Sequence, residues 1–119
     1  MKILVTGAAG FIGSALSIKL LDRGDEVIGI DNHNDYYDPN IKEARLARHN
    51  NHKSYTHIRM DIENGKEVSE LFKDYKFDGV VNLAAQAGVR YSIENPLAYI
   101  NTNIVGFTHI LEGCRYNNV

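Results

Sequence analysis

Gly7, Gly10 and Gly13 follow directly on the apolar run Ile3-Leu4-Val5-Thr6, in the order Gly7-Ala8-Ala9-Gly10-Phe11-Ile12-Gly13. Glycines so spaced between a strand and a helix make a socket for a pyrophosphate. Bare main chain at Gly7 and Gly10 can turn sharply and lets a ligand come close. Gly13 allows the helix to pack tightly on the strand, and the helix N-terminus aims free N–H groups and a partial positive charge at phosphate. Asp31 ends the next strand-like run, about twenty residues beyond the turn, where a carboxylate binds both hydroxyls of an adenosine ribose and repels a 2′-phosphate. The neighbours Asn32, His33 and Asn34 carry no guanidinium to hold such a phosphate. NAD, rather than NADP, is the cofactor expected. A turn cap is the plainer role open to Asp31.

Further along, Asp61-Ile62 follows a third strand-like run. A carboxylate there could accept the adenine amino group while the apolar neighbour packs on the ring, although Asp before a helix is also a common cap. Leu83-Ala84-Ala85-Gln86-Ala87-Gly88 ends a fourth run in small residues that permit close backbone approach by a cofactor. Tyr36 and Tyr37, paired in a polar loop, either cover a ligand or pack on the next helix. Asp31, Asp35 and Asp38 lack the glycine and terminal glutamate of a calcium loop. His49 and His52 lie in an asparagine-rich turn without a third zinc ligand, which reads as a solvated loop. Cys114, the only cysteine, lies on a helix with an apolar side and reads as a packing residue.

These residues need strands and helices in alternation, and the pattern supplies them. Ile3–Thr6 reads as a strand, followed by a helix with apolar Ile12, Leu16 and Leu20 and stopped at Arg23-Gly24. Glu26–Ile30 is a second strand, Asp31–Asn40 a polar loop and Ile41–Arg48 a basic helical stretch. Tyr55–Met60 is a third strand, Lys66–Tyr75 a helix and Gly79–Leu83 a fourth, nearly continuous apolar strand. Leu97–Tyr116 reads as one long helix that Pro96 helps to start. The fold expected is α/β, a Rossmann-type doubly wound parallel sheet of four strands in the order 3-2-1-4 with helices on both faces. Residues 1–119 suit one dinucleotide-binding domain. Such sheets usually continue, so the chain is expected to be the first part of a larger enzyme, with Gly79–Leu83 left as an apolar edge prone to self-association. A complete four-stranded domain is the alternative.

Formal net charge is −2, which gives no electrostatic footprint for nucleic acid or an anionic membrane. The lone cysteine excludes an internal disulfide and suits a reducing cytosol, and glycines break the opening apolar run before a signal peptide can form. A cytoplasmic location is expected.

The combination Gly7-x-x-Gly10-x-x-Gly13, Asp31, Asp61-Ile62, Leu83-Ala84-Ala85-Gln86 and Asn103 resembles the extended short-chain dehydrogenase/reductases that act on nucleotide sugars. More narrowly, Asp31-Asn32-His33-Asn34-Asp35-Tyr36-Tyr37-Asp38-Pro39, Lys42-Glu43-Ala44-Arg45-Leu46 and Ala85-Gln86-Ala87-Gly88-Val89-Arg90-Tyr91-Ser92 are similar to UDP-glucuronate 4-epimerases along the whole chain. The resemblance implies that Gly7, Gly10, Phe11 and Ile12 contact the NAD pyrophosphate, with Asp31 and Asn32 on the ribose and Asp61 and Ile62 on the adenine. It places Leu83, Ala84, Ala85 and Gln86 along the nicotinamide, Asn103 beneath the cofactor, and Arg90 and Ser92 where the sugar nucleotide begins. It also implies a homodimeric enzyme that inverts C4 of a UDP-sugar through a 4-keto intermediate with tightly held NAD. The family's Tyr-x-x-x-Lys pair has no counterpart here: Tyr55 meets Arg59 and Tyr99 meets Asn103. The chain alone is therefore expected to be inactive. A nucleotide-sugar 4,6-dehydratase and a non-catalytic dinucleotide-sensing module are the alternative functions.

Overall fold

A computed structural model describes residues 1–119. Strands β1 (Lys2–Thr6), β2 (Glu26–Asp31), β3 (Tyr55–Arg59) and β4 (Gly79–Asn82) form one parallel sheet in the order β3-β2-β1-β4. Helix α1 (Phe11–Asp22) connects β1 to β2, α2 (Pro39–Ala47) connects β2 to β3, and α3 (Gly65–Asp74) connects β3 to β4. Beyond β4 come α4 (Val89–Glu94), α5 (Pro96–Ile100) and α6 (Phe107–Tyr116). The expected architecture and strand order are both present, and the Rossmann-type reading stands.

Side chains alternate across the pleat, and the two faces build separate cores. Leu4, Ile28 and Ile30 face α3 and α6, where Val68, Leu71, Phe72 and Ile110 close over them. Ile3, Val5 and Val27 face the other way, against Ala8, Ala9, Leu21, Leu46 and Tyr55. Register makes this work: Leu4 pairs with Ile28 and Val80, so like residues on adjacent strands share a face. Phe72 is the largest fully buried side chain, with its ring edge-on to Phe77. Cys114 packs against the same core, as its place on α6 suggested. β4 lies at the sheet edge and is half-buried throughout, not enclosed on both faces as its apolar run suggested.

Helix starts follow local chemistry. Asp38 caps α2 by accepting from the Asn40 amide at 3.0 Å, with Pro39 in the first turn. Asn64 caps α3 by accepting from the Glu67 amide at 3.1 Å. α1 begins after Gly10 with no side-chain cap and no acidic residue in its first turn.

Two further expectations need correction. The long helix expected over 97–116 is divided: Asn101–Gly106 winds with the wider π pitch between α5 and α6. The cause is tertiary. Gly106 packs on Ile62, while Thr102 and Asn103 are drawn to Glu63 and Gln86, so the segment widens to satisfy all of them. α4 had no sequence signal strong enough to predict it, being short and opened by Gly88 at φ +100°. His49, read as part of a solvated turn, is buried edge-on against Tyr55, with ring centroids 4.5 Å apart.

Truncating Phe72 to Ala empties the centre of one core and is expected to lower the unfolding free energy by about 3–5 kcal/mol. Phe11→Ala, at a position 79% exposed, should change it by less than about 0.5 kcal/mol. Urea denaturation of both variants measures the difference.

Candidate functional site

At the C-terminal edge of the sheet the chain leaves β1 toward one side and β4 toward the other. Crevices form where strand order reverses in this way. Here a cavity of about 340 Å³ opens between the two exits. Gly7, Gly10 and Phe11 line it from the first turn, Asp31 and Asn32 from the end of β2, and Asp61 and Ile62 from the end of β3. Leu83, Ala84, Ala85 and Gln86 line it from the end of β4. Residues separated by most of the chain thus converge on one concave surface.

The first turn is held by its own backbone and by Thr6. The Ala8 amide donates to the Ile30 carbonyl at 3.0 Å, and the Gly10 amide to the Gly7 carbonyl at 3.0 Å. Gly7 has φ +67°, and a Cβ there would lie 2.9 Å from the Ala84 nitrogen. Gly13 is buried under the same turn against the Gly7 carbonyl. The Thr6 hydroxyl donates to the Asn82 side-chain oxygen at 2.6 Å and accepts from the Leu83 and Ala84 amides, each at 3.0 Å. One threonine therefore ties the exit of β4 to the end of β1. Sequence reasoning missed Thr6; its signal was a hydroxyl residue as the last side chain before the glycine turn.

Because α1 is uncapped, its opening N–H groups have no partner within the helix. Those of Phe11, Ile12 and Gly13 are the groups a phosphate would meet, and no side chain stands over them as a cap. The Ile12 side chain lies exposed outside the cavity, so any contribution from Ile12 is through its main chain.

Asp31 is more deeply engaged than its sequence position suggests. One oxygen accepts from Lys42 Nζ and from the His33 amide, both at 2.8 Å; the other accepts from the Ala9 amide at 3.1 Å. Burial pushes this carboxyl up, but the hydrogen bonds from Lys42, His33 and Ala9 and the Lys42 charge outweigh it and hold it below the ordinary carboxylate value. Asn32 donates to Asp61 at 3.2 Å and accepts from the Asn34 amide at 3.0 Å, linking the ends of β2 and β3. Asp61 also accepts from the Glu63 amide at 2.9 Å; the cap of α3 is Asn64, so capping does not account for Asp61.

Lys42 and Arg45 are the cations that inspection of the β2 loop alone did not find. They reach the cavity from α2, with Arg45 over the Phe11 ring and its guanidinium 3.4 Å from the Ala9 carbonyl. Tyr36 and Tyr37 line the cavity edge-on to one another, and Tyr36 also packs against Tyr91 and Gly88 from beyond β4. Of the two roles left open for these tyrosines, this placement fits the cover. Asn103 lies outside the cavity, accepting from the Gln86 amide at 2.8 Å and donating to the Gln86 carbonyl at 3.2 Å. It fixes the β4 exit from below. Arg90 and Ser92 are on α4 and do not line the cavity; the Ser92 hydroxyl turns back to the Val89 carbonyl.

Comparison with known proteins follows this geometry. The family described as GDP-mannose 4,6 dehydratase matches residues 4–119. The chain belongs to that family. Protein CapI of Staphylococcus aureus is 53% identical over all 119 residues, which make up 35% of that relative. UDP-glucuronate 4-epimerase 4 of Arabidopsis thaliana is 49% identical over 99% of this chain and 27% of its own length. A solved Bacillus cereus UDP-glucuronic acid 4-epimerase, in complex with UDP-glucuronic acid and NAD, superposes with a TM-score of 0.86 at 37% identity, covering 98% of this chain and 37% of that one. The chain spans about a third of the length of the curated relatives it matches. The GDP-mannose 4,6 dehydratase family therefore includes this chain, and named 4-epimerases are among the proteins similar to it. No helix is long and apolar enough to cross a membrane.

Lys42→Met removes the partner of a buried carboxylate and should cost about 3 kcal/mol at neutral pH. Asp31 titrates below its unfolded value, so its contribution is present above that value and lost as pH falls through the folded one. Chemical denaturation from pH 7 to pH 3 should therefore show wild type and Lys42→Met converging as both carboxyls protonate.

Proposed function

We propose that residues 1–119 are the NAD-binding part of a nucleotide-sugar epimerase, acting on UDP-glucuronate and inverting it at C4. One observation carries the reading: the cavity at the strand reversal gathers the glycine turn, Asp31, Asp61 and the Leu83–Gln86 segment around an uncapped helix start. The donor set suits a dinucleotide. The α1 N–H groups, with Gly7 and Gly10 beside them, would hold the pyrophosphate, and Arg45 at the rim adds positive charge. Asp31 would accept the ribose hydroxyls, with Lys42 keeping it ionised and Asn32 beside it. Asp61 would take the adenine amino group while Ile62 packs on the ring.

Bound NAD supplies a hydride acceptor and donor that is regenerated within each turnover. The chain's own contribution is to orient it. Thr6 and Asn103 fix the Leu83–Gln86 backbone along the nicotinamide side, and Tyr36 and Tyr37 shield the adenosine end from water. Arg90 and Ser92 on α4 are the positions proposed to meet the sugar nucleotide. The acid–base group is proposed to come from a Tyr-x-x-x-Lys pair outside these residues, in a homodimeric cytoplasmic enzyme.

The family's description names a dehydratase, which is the second reading with an observation behind it. The epimerase reading is favoured by the Arabidopsis thaliana relatives, each named a UDP-glucuronate 4-epimerase and 44–49% identical over nearly the whole chain.

The protein carrying this chain is expected to bind NAD and to convert UDP-glucuronate to UDP-galacturonate, followed by chromatography of the nucleotide sugars. Asp31→Asn should weaken NAD binding about tenfold, the loss of hydrogen bonds to a charged acceptor. Release of water from the sugar, with no C4 epimer formed, decides for the dehydratase. Absence of NAD binding by the wild-type protein ends both readings.

A further inference from the structure

Beneath the turn that carries Asp31 lies a row of ionisable side chains that the cofactor contacts do not use. His33 does not line the cavity, and its ring is buried between Glu43 of α2 and His57 of β3. One of its nitrogens, Nδ1, lies 3.4 Å from Glu43 Oε1 on α2, and the other, Nε2, lies 2.7 Å from His57 Nε2 on β3. His57 Nδ1 in turn is 2.9 Å from the Tyr55 hydroxyl.

Hydrogen-bonding rules order the protons along this row. The Glu43 carboxylate lies at ion-pair distance without the alignment of a hydrogen bond, and its negative charge favours the hydrogen on the facing His33 Nδ1. In neutral His33 the Nε2 atom is then an acceptor, and the hydrogen between the two imidazoles belongs to His57 Nε2. His57 Nδ1 is left as an acceptor and takes the Tyr55 hydroxyl hydrogen. Burial, with the Asp31 charge, pushes the Tyr55 phenol well above its ordinary value, so that hydrogen stays in place. Two hydrogens thus serve the two close contacts of the row, and the Glu43 charge at its end favours this direction.

An added proton has no vacant acceptor to occupy. Placed on His33 Nε2, it opposes the His57 N–H unless His57 shifts tautomer, and the Tyr55 hydrogen is then displaced. Placed on His57 Nδ1, it displaces the Tyr55 hydrogen at once. The charged groups acting on the pair are Glu43 from α2 and Asp31 from β2, with His49 from the turn after α2, and Lys42 from α2 is paired with Asp31. Burial first, then His33, hold His57 below the ordinary imidazole value, against the pull of Asp31 and Glu43.

The row is tied to the cavity through the main chain. His33 has φ +54°, an uncommon conformation for a non-glycine residue, and its amide is one of the donors to Asp31. A ring hydrogen-bonded to His57 and lying beside Glu43 keeps the backbone in that conformation. Release of the ring removes the amide from Asp31 and frees the Asn32–Asn34 turn that reaches Asp61.

We propose that His33 and His57 are positioning residues for the dinucleotide site, whose Glu43–His33–His57–Tyr55 row holds the Asp31–Asn34 turn in its binding shape only while the His57 imidazole is neutral. The inference rests on the dinucleotide reading above. Dinucleotide affinity accordingly falls as acidification protonates His57, at a pH below the ordinary imidazole value.

Two measurements test it. Nitrogen-15 NMR of the protein without nucleotide at pH 8 should find His33 protonated on Nδ1 and His57 on Nε2. A His57 protonated on Nδ1 overturns the chain whatever the protein binds. NAD titrations at pH 8 and pH 5.5 should show wild-type affinity falling about tenfold, the size expected for losing a hydrogen bond to the Asp31 carboxylate. His33→Asn, which tolerates positive φ, and His57→Gln should bind less tightly at pH 8 and change little on acidification. A merely structural role would lower affinity equally at both pH values, so profiles parallel to wild type overturn the proposal. No NAD binding by wild type at pH 8 overturns the dinucleotide reading and this inference with it, an outcome told apart from failure of the chain by the NMR tautomers.

Discussion

The narrow gap at the end of β1 governs the rest of the molecule. β1 is flanked by β2 on one side and β4 on the other, so the chain leaving it must turn upward between their exits. Only a residue without a side chain can pass where Gly7 passes, against Leu83 and Ala84. The helix that follows consequently starts at the crevice, and no capping side chain covers its first N–H groups. A backbone that unpaired would cost stability in a buried setting; open to a crevice, it keeps its partial positive charge on the cavity side. Thr6 completes the arrangement, because its one hydroxyl satisfies Asn82, Leu83 and Ala84 together and keeps the second wall of the crevice in place.

Charge around the crevice is balanced locally rather than left to solvent. Asp31 is buried, and a buried carboxylate survives as an ion only with close donors. Lys42 and two amides provide them, which makes the same cation both a structural partner and a guard on the protonation state of a carboxylate that lines the cavity. The apparent absence of positive charge in Asn32-His33-Asn34 was therefore a property of sequence neighbours, not of spatial neighbours. Lys42 and Arg45 arrive from α2, more than ten residues downstream, on a helix placed by Asp38 and Pro39.

That contrast describes what was legible in the sequence. Strand order followed from repeated β–α units and the right-handed crossover rule, and the cavity walls followed from residue types at strand ends. Asp31, Asp61 and Leu83–Gln86 were found because position on a strand determines position at the sheet edge. Side-chain partnerships were not legible, because they depend on which helix face meets which turn. Arg90 and Ser92 follow the β4 exit closely in sequence, and α4 carries them outside the cavity. His49 was misread for the same reason, its polar neighbours concealing the Tyr55 ring that buries it.

The π-type segment joins these threads. Asn101–Gly106 has β-branched Thr102, Ile104 and Val105, which weakly disfavour helix, yet propensity alone would bend or fray the rod rather than widen one turn. What selects the wider turn is simultaneous demand from two directions. Gly106 must meet Ile62 under the β3 exit, while Asn103 must present its amide to both main-chain groups of Gln86 at the β4 exit. An ordinary α-helical pitch fixes the angular spacing of positions 103 and 106 at about 300°, and the π winding relaxes that spacing so that both contacts form. The irregularity in the helix is thus set by the crevice walls, and it transmits the geometry of one wall to the other through a single asparagine.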